Sequence, residues 1–418
     1  MTDPLRAPVL APFQLRSFRF QWPADLATSW AFEMESLILG WYVLVATGSV
    51  QALVLFGALQ WVGSLASPLF GVAGDRFGHR RLLCVTRATY ALLAGSLMVL
   101  TFSGALLPWH VFAIAAVTGM IRPSDLVMRH SLIAQTLPPA QLLGALSISR
   151  TTADTARIAG ALAGAGGVAA FGMGPAYVLV TLLYLTSFTL SLGVAGAPRR
   201  APGTPATAPQ SPFGDLRAGL IHARDRPELL AAVSLALLVN LFAFPFFFGL
   251  LPYVAKDVFS LGQAGLGYLS ASFAFGGLIG SLVLAANRFA LPPGRTMLIA
   301  AALLFVLVLL FAQASSASVG IPLLMLVGMA QSFCLTPLAA VMLRAADDDM
   351  RGRVMGLRML AVWGLAVGLL LAGPLIKLIG YVVAASVFGL TGLLLTMAIG
   401  LRWRERVWRR GAAVNANF

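Results

Sequence analysis

Charged residues are scarce in this sequence. Asp, Glu, Lys and Arg together make up 11% of its 418 residues, whereas a soluble globular domain carries about 25%. A folded chain with so few charges exposes a large apolar surface to something other than water. The composition therefore excludes an ordinary soluble domain.

Cysteine and histidine are also few. Cys84 and Cys334 lie in or near apolar runs and form neither a disulfide framework nor a metal-ligand spacing. The four histidines are scattered, and the sequence has no nucleophile elbow, phosphate-binding loop or cluster of metal ligands. We therefore expect no enzyme activity, no metal and no cofactor. Since no ATP-binding motif is present, any uphill work would draw on an ion gradient, most simply a proton gradient.

Long apolar runs are what the sequence has in abundance. Hydrophobic residues make up 59% of the chain, and the mean hydropathy is +0.87. Apolar runs of about 18 residues or more are typical of membrane-spanning helices. Spans of about 20 residues each fit the chain at roughly 20–45, 51–70, 82–102, 109–133, 143–170, 176–196, 228–250, 264–287, 296–315, 322–342, 353–376 and 380–402. These runs predict an all-α membrane protein with twelve transmembrane helices.

The net charge is +14, and the positions of the positive residues agree with the predicted topology. If the N-terminus is inside, nearly every arginine between spans falls on the cytoplasmic side, and the opposite loops hold only Lys256 and Lys377. Positively charged loops stay in the cytoplasm, so both termini are predicted to be cytoplasmic, in a bacterial inner membrane. The basic surplus thus indicates orientation, and we expect no nucleic-acid partner.

A Pro-, Ala- and Thr-rich stretch divides the chain. Such a composition cannot pack a core and is typical of a tether. We predict an N-terminal six-helix bundle over 1–196, a cytoplasmic linker over 197–227, a C-terminal six-helix bundle over 228–402 and a basic tail over 403–418. Within the linker, Phe213–Arg226 is predicted to form a short amphipathic helix on the membrane surface.

The stretch Gly71–Arg81 combines glycines with one acid and several bases between two apolar runs. It predicts a tight, specifically structured loop. It resembles the conserved loop between the second and third helices of the major facilitator superfamily, Gly-x-x-x-Asp-Arg/Lys-x-Gly-Arg-Arg/Lys. The matching residues are Gly71, Asp75, Arg76, Gly78 and Arg80, and His79 stands where that pattern usually has Arg. The resemblance implies that the acid and bases form a conformational latch, bridging to a helix of the other half in the outward-open state.

Four carboxylates lie inside predicted spans of the first half, where charge is costly unless it meets water or a partner. Asp25, Glu33, Glu35 and Asp154 are accordingly the proton-coupling candidates. Helical periodicity places Asp25 and Glu35 opposite a bulky stripe, where we expect them to meet water. Glu33 lies beside that stripe and is expected to face a neighbouring helix or the edge of a cavity. The alternative is structural pairing with an arginine of another span.

Embedded arginines form two further groups. Arg122, Asp125 and Arg129 share one helix face, as an internal ion pair or as a substrate or coupling site. Arg157 is expected to line a central cavity, with Asp154 as its tether or as a proton carrier. The candidates for contact with a substrate are Arg157, Arg150, Arg122, Asn240, Phe246 and Gln331. Aromatic residues at helical spacing also commonly serve as packing or as a membrane-interface belt.

The run Trp41–Ser49, followed by the stretch Gly71–Arg81, is similar to the drug:proton antiporter branch of the superfamily, which includes enterobactin and macrolide exporters. That resemblance implies a proton-coupled exporter of a drug-like or siderophore-like small molecule, acting as a monomer in the lipid bilayer by rocker-switch alternating access. The alternatives are an importer or facilitator of a small metabolite or siderophore, and a membrane scaffold that transports nothing.

Overall fold

The computed structural model describes residues 11–195, 212–286, 292–347 and 350–403, and within these ranges the chain forms helices and turns without a strand. The all-α prediction is confirmed. Residues 196–211, which make up much of the predicted linker, and the basic tail from residue 404 lie outside the described residues.

The first part of the chain consists of long helices joined by short turns. Their bounds are α1 Arg16–Thr47, α2 Val50–Leu59, α3 Ser67–Phe77, α4 His79–Phe102, α5 Pro108–Thr136, α6 Pro139–Phe171 and α7 Met173–Ser191. A 3₁₀ turn, Val62–Ala66, separates α2 from α3. Helix α1 ends at Gly48, which has a φ of 60° and donates its N–H to the carbonyl of Leu44. Glycine tolerates this left-handed conformation without strain.

The second part begins with the predicted amphipathic helix. The bounds are α8 Pro212–Asp225, α9 Pro227–Leu238, α10 Leu251–Tyr253, α11 Gln263–Ala285, α12 Pro293–Gln313, α13 Ala317–Ala345, α14 Arg351–Ala361, α15 Trp363–Ile379 and α16 Tyr381–Arg402. Three π-helical turns, at Val239–Ala243, Pro245–Gly249 and Val254–Val258, link α9 through α10. Proline lacks the N–H of an ordinary helical hydrogen bond, so Pro245 and Pro252 disturb the α-helical ladder in this span.

Eight helices of the described residues are long and apolar enough to cross a membrane by length and composition alone, or nine if the bent pair 218–225 and 227–243 counts as one span. Helices α1 and α6 are 32 and 33 residues long but carry the embedded charged residues that lower their hydropathy. With α2–α3, α9–α10 and α14–α15 each counted once and the amphipathic helix α8 left out, the described helices form the twelve segments that the apolar runs predict.

The described residues divide into two compact units. The first comprises 11–49, 62–195 and 260–271, and the second comprises 50–61, 212–259, 272–286, 292–347 and 350–403. In the first unit, α1 packs against α5, α6 and α7, and α4 packs against α5 and α7. This packing places the polar face of α1 among other helices of the same unit, which determines the site described below.

The stretch Gly71–Arg81 is mostly helix, so the predicted loop is wrong in extent. Helix α3 continues to Phe77, α4 begins at His79, and the connection is Gly78 alone. Gly78 has a φ of 92°, which glycine adopts readily and other residues rarely do. A single residue of this kind is enough to turn the chain between two helices.

Close approach of α11 and α13 supplies a first prediction. A Cβ added to Gly276 would collide with the backbone of Met325, whereas one added to the adjacent Gly277 would meet atoms no nearer than 3.8 Å. We expect Gly276→Ala to lower the free energy of unfolding by about 1–3 kcal/mol through overpacking. Gly277→Ala is the matched control and should leave stability unchanged or slightly raised. Thermal unfolding of both variants in detergent measures the difference, and equal midpoints would contradict the close packing.

Candidate functional site

A network of four charged side chains lies inside the first unit, with Arg87 of α4 at its centre. Arg87 is fully buried. Its guanidinium pairs with Asp25 Oδ1 of α1, lies 3.2 Å from Asp125 Oδ1 of α5, and donates to Ser191 Oγ of α7 at 2.6 Å. One arginine therefore ties together four helices.

Arg129 of α5 completes this network. Its guanidinium lies 2.7 Å from Asp125 Oδ2 and 3.4 Å from Asp25 Oδ1. The backbone carbonyl of Arg129 accepts a hydrogen bond of 2.8 Å from Gln21 Nε2. Two carboxylates face two guanidiniums, so the buried charges balance, as a low-dielectric interior requires. Among the alternatives left open above, structural pairing is the one that Asp25 follows.

Glu35 of α1 lies in a different environment. Its side chain is buried, and the hydroxyl of Tyr184 on α7 donates to Glu35 Oε2 at 2.9 Å. In the part of the chain that the structure describes, Glu35 Oε1 has no hydrogen-bond partner and Glu35 forms no ion pair. Glu35 is thus a buried carboxyl group whose described partner is a neutral hydroxyl.

Glu33 of α1 is partly exposed, unlike Asp25 and Glu35. About a quarter of its side chain is exposed, 25%, and its Oε1 lies 3.6 Å from Arg157 Nε of α6. The prediction that Asp25 and Glu35 meet water is therefore wrong, whereas Glu33 faces the neighbouring helix α6, which is one of the two places predicted for it. The polar arc of α1 lies inside the unit, where side chains from α4, α5 and α7 supply complementary polar groups.

Residues 23–366 match the sequence profile of the Major Facilitator Superfamily. The chain belongs to this superfamily. It is accordingly a multi-pass membrane protein and a transporter of small molecules rather than an enzyme. A search of curated proteins by sequence finds none that matches this chain.

Solved transporters of the superfamily fold resemble the chain throughout. The human organic anion transporter MFSD10 (TETRAN) has a TM-score of 0.66 and 18% identity, covering 94% of this chain and 100% of that one. A point mutant of the nucleoside transporter NupG has a TM-score of 0.69 and 13% identity, and the match covers 92% of this chain and 99% of that one. A POT family transporter in complex with 5-aminolevulinic acid has a TM-score of 0.73 and 12% identity, and the match covers 94% of this chain and 97% of that one. Identities this low establish a common fold and no common substrate.

The described contacts of the superfamily motif at Gly71–Arg81 are with other residues of the first unit. The Arg80 guanidinium donates to the carbonyl of Leu192, just beyond α7, and His79 Nδ1 lies 3.2 Å from Gln135 Nε2. Arg76 is exposed, with its guanidinium 5.6 Å from the ring centroid of Phe77. The side chain of Asp75 and the surroundings of Gly71 are not described, so the latch stays a prediction.

Two candidate arginines lie near this site. The Arg122 guanidinium of α5 stacks 3.5 Å from the ring centroid of Phe32 on α1, a cation–π contact. Arg157 faces Glu33, as described above. Asp154 of α6 is buried, and the side chain of Arg150 lies outside the described residues. Among the described residues, no group of three or more His, Cys, Asp or Glu is arranged to hold a metal ion.

The candidates in the second unit are packing residues in two of three cases. Phe246 is buried, with its ring 5.5 Å from Phe388 and 6.2 Å from Tyr381 of α16. Its predicted place in a substrate cavity is therefore wrong, because the aromatic residues here fill the interior of the unit. Asn240 is buried and donates to the carbonyl of Ala236 in its own helix at 2.8 Å. Gln331 is half-buried on α13.

Arg87 and Tyr184 are the residues that the sequence reasoning missed. A signal for Arg87 was available, since it is a charged residue inside the apolar run 82–102, and such residues normally have a partner or a function. Tyr184 offered no such signal, because tyrosine is common in membrane helices. Only the packing of α1 on α7 reveals its contact with Glu35.

Proposed function

We propose that this transporter is a proton-coupled exporter of a drug-like or siderophore-like small molecule. In this proposal it works by alternating access in a bacterial inner membrane with both termini in the cytoplasm, and Glu35 carries the coupling proton. The observation that supports the assignment is the burial of Glu35 against the neutral hydroxyl of Tyr184, without an ion pair among the described residues. A buried carboxyl group in such a setting can be neutral or charged according to whether it holds a proton.

Asp25 and Glu33 fit the carrier role less well. Asp25 pairs with two guanidiniums, those of Arg87 and Arg129, so a proton there would break two ion pairs. Glu33 is partly exposed and has Arg157 as a cationic neighbour. Glu35 has no such ion pair among the described residues, which favours it over these two acids. Asp154 is buried on α6 and stays the alternative carrier.

Antiport results if the proton and the substrate are bound in alternate halves of the transport cycle. Glu35 accepts a proton from the outer side, where protons are abundant, and gives it up on the cytoplasmic side. The proton gradient then drives the return step that carries substrate outward. Arg122 and Arg157 are the substrate contacts we propose in this unit, because guanidinium groups bind carboxylate and other anionic or hydroxylated groups through several donors. One of the similar solved structures is that of an organic anion transporter, which is compatible with this choice.

A transport experiment tests the proposal. Cells that overexpress the protein are loaded with each member of a panel of drugs and iron-chelating secondary metabolites, and efflux is followed with and without a protonophore. We expect at least one compound to leave faster than from cells with an empty vector, and the protonophore to remove the difference. Inward accumulation would replace the exporter by an importer, and efflux insensitive to the protonophore would refute proton coupling.

The superfamily motif supplies a further prediction. If Asp75 belongs to a conformational latch, Asp75→Asn should slow transport several-fold while leaving the protein folded, because it biases the equilibrium between conformations. Asp225→Asn, at an exposed residue of α8, is the control and should transport normally. The measurement is the initial flux per molecule of reconstituted protein. A wild-type rate for Asp75→Asn would exclude the latch.

A further inference from the structure

A line of hydroxyl groups runs along one side of α7, and two of its members, Tyr184 and Ser187, contact α1. Its members are Tyr177, Thr181, Tyr184, Ser187 and Ser191, and we call them the hydroxyl stripe. They are spaced by three or four residues, so they follow one side of the helix. All five are buried. Between Tyr177 and Ser191 the stripe rises about 21 Å at 1.5 Å per residue, a large part of the thickness of a membrane.

The inner part of the hydroxyl stripe is fully hydrogen-bonded. Ser191 Oγ accepts from Arg87 and donates to the carbonyl of Ser187 at 2.7 Å. Ser187 Oγ and Thr28 Oγ1 of α1 lie 2.5 Å apart. Tyr184 donates to Glu35. From the charge network up to Glu35, the groups are therefore engaged in fixed contacts.

The outer part differs, because its polar atoms are buried without partners. In the part of the chain that the structure describes, Tyr177 OH, Thr181 Oγ1 and Glu35 Oε1 are all buried and have no hydrogen-bond partner. Leaving such atoms unsatisfied costs free energy, so three of them along one helix interface call for an explanation. Since Tyr184 already occupies Glu35 Oε2, the Oε1 atom is the one left to receive a proton.

A groove beside Thr181 leads from the hydroxyl stripe toward the start of α5. Thr181 lines a groove of about 920 Å³ between α4 and α7 that reaches His110, at the start of α5. Helices α5 and α7 begin on the outer side in the proposed orientation, so His110 and Tyr177 both lie toward that face. The titratable groups beside the hydroxyl stripe are Tyr90 of α4, whose ring centroid lies 5.4 Å from that of Tyr184, and the charge network at its inner end.

We propose that protons reach Glu35 from the outer face along the hydroxyl stripe of α7, with Tyr177 and Thr181 as relay groups and water completing the chain. This inference rests on the proposed role of Glu35. In each transfer, a protonated water donates its excess proton to the hydroxyl oxygen of a relay group and becomes neutral water, while the relay group releases its own proton to the next acceptor. The relay group ends unchanged, and Glu35 Oε1 gains one proton. The inner contacts of the hydroxyl stripe keep the path closed toward the cytoplasm.

The proposal separates the proton route from the substrate route. Tyr177 and Thr181 pass the proton toward Glu35 and do not contact substrate. Their hydroxyl groups have no hydrogen-bond partner among the described residues to lose, so Tyr177→Phe and Thr181→Val should fold as the wild type does. Thr186→Val is the matched control, because Thr186 lies on the same helix with an exposed side chain.

The experiment follows protonation of a carboxyl group directly, with the proton itself as the probe. Purified full-length protein in lipid vesicles receives a rapid drop in external pH, and the infrared band of the protonated carboxyl group is recorded over time. Glu35→Gln should abolish the band. Tyr177→Phe should leave its final height unchanged but slow its appearance on the order of a hundredfold, the contribution of a positioned proton-transfer group. Thr181→Val should slow it in the same direction, and Thr186→Val should leave the rate unchanged.

The outcomes distinguish the two claims. If Glu35→Gln abolishes the band and Tyr177→Phe slows it, the relay is supported. If Glu35→Gln abolishes the band but both Tyr177→Phe and Thr181→Val protonate at the wild-type rate, the relay is refuted and the carrier stands. If the band persists in Glu35→Gln, the carrier assignment itself fails, and the relay fails with it.

Discussion

Replacing Arg87 with methionine should remove most of the folded protein. The substitution leaves Asp25 and Asp125 buried with Arg129 as their shared guanidinium partner. Breaking a buried ion pair from one side costs about 3–5 kcal/mol, a large part of the total stability of about 5–15 kcal/mol that is usual for a protein. The hydrogen bond to Ser191 is lost as well. The yield of monodisperse protein in detergent and its thermal midpoint measure the effect.

Two comparison variants show whether the loss of stability comes from the burial of Arg87 and from the unbalanced charge that its removal leaves. Arg76→Met makes the same chemical change at an exposed arginine of α3, where ion pairs contribute little, and should keep the wild-type midpoint. Arg87→Met combined with Asp25→Asn restores one cation to one anion and should recover part of the lost stability. If Arg87→Met alone is as stable as Arg76→Met, the network does not hold α4, α5 and α7 to α1.

Glu35→Gln should uncouple transport from the proton gradient. Glutamine keeps the shape of the side chain and an acceptor for the Tyr184 hydroxyl, but it cannot exchange a proton. Reconstituted protein should therefore still move substrate down its own concentration gradient, while an imposed pH gradient no longer changes the rate or drives accumulation. In the wild type, lowering the external pH should accelerate efflux. Flux in vesicles with and without the gradient gives both quantities.

Glu33→Gln is the matched control for this experiment. It lies two residues away on the same helix, carries the same functional group and is partly exposed. We expect it to retain gradient-driven flux, with a change confined to the apparent affinity for substrate through Arg157. Gradient-driven flux that survives in Glu35→Gln and disappears in Glu33→Gln or Asp154→Asn would transfer the carrier role to that residue.

The sequence predicted the helices well because apolar runs reflect the membrane directly. The predicted run 82–102 corresponds to α4 at His79–Phe102, and 143–170 to α6 at Pro139–Phe171. The exception is the stretch Gly71–Arg81, where glycines and charges resemble a loop. There the helix ends late because only Gly78 adopts a positive φ, and Arg76 in the last turn of α3 is favourably placed at the negative end of the helix dipole.

The sequence predicted the acids of the site and Arg129, but it predicted neither Arg87 and Tyr184 nor which residues pair between helices. Periodicity separates the faces of α1 correctly, yet it does not tell which face lies inside. In a soluble helix the polar face meets water, and the same assumption placed Asp25 and Glu35 in a cavity. In the membrane, polar groups also collect in the interior of a bundle when other helices supply partners. Those partners, Arg87 and Tyr184, come from helices far away in the sequence.

The balance of charge in the Arg87 network has an electrical consequence. A charge displaced through the membrane potential exchanges about 2.3 kcal/mol per 100 mV, so a transporter with a charged moving interior would respond strongly to voltage. Asp25, Asp125, Arg87 and Arg129 together carry no net charge and are held on one body. Voltage therefore does no net work on them, and the current that accompanies each cycle should report the Glu35 proton and the charge of the substrate alone.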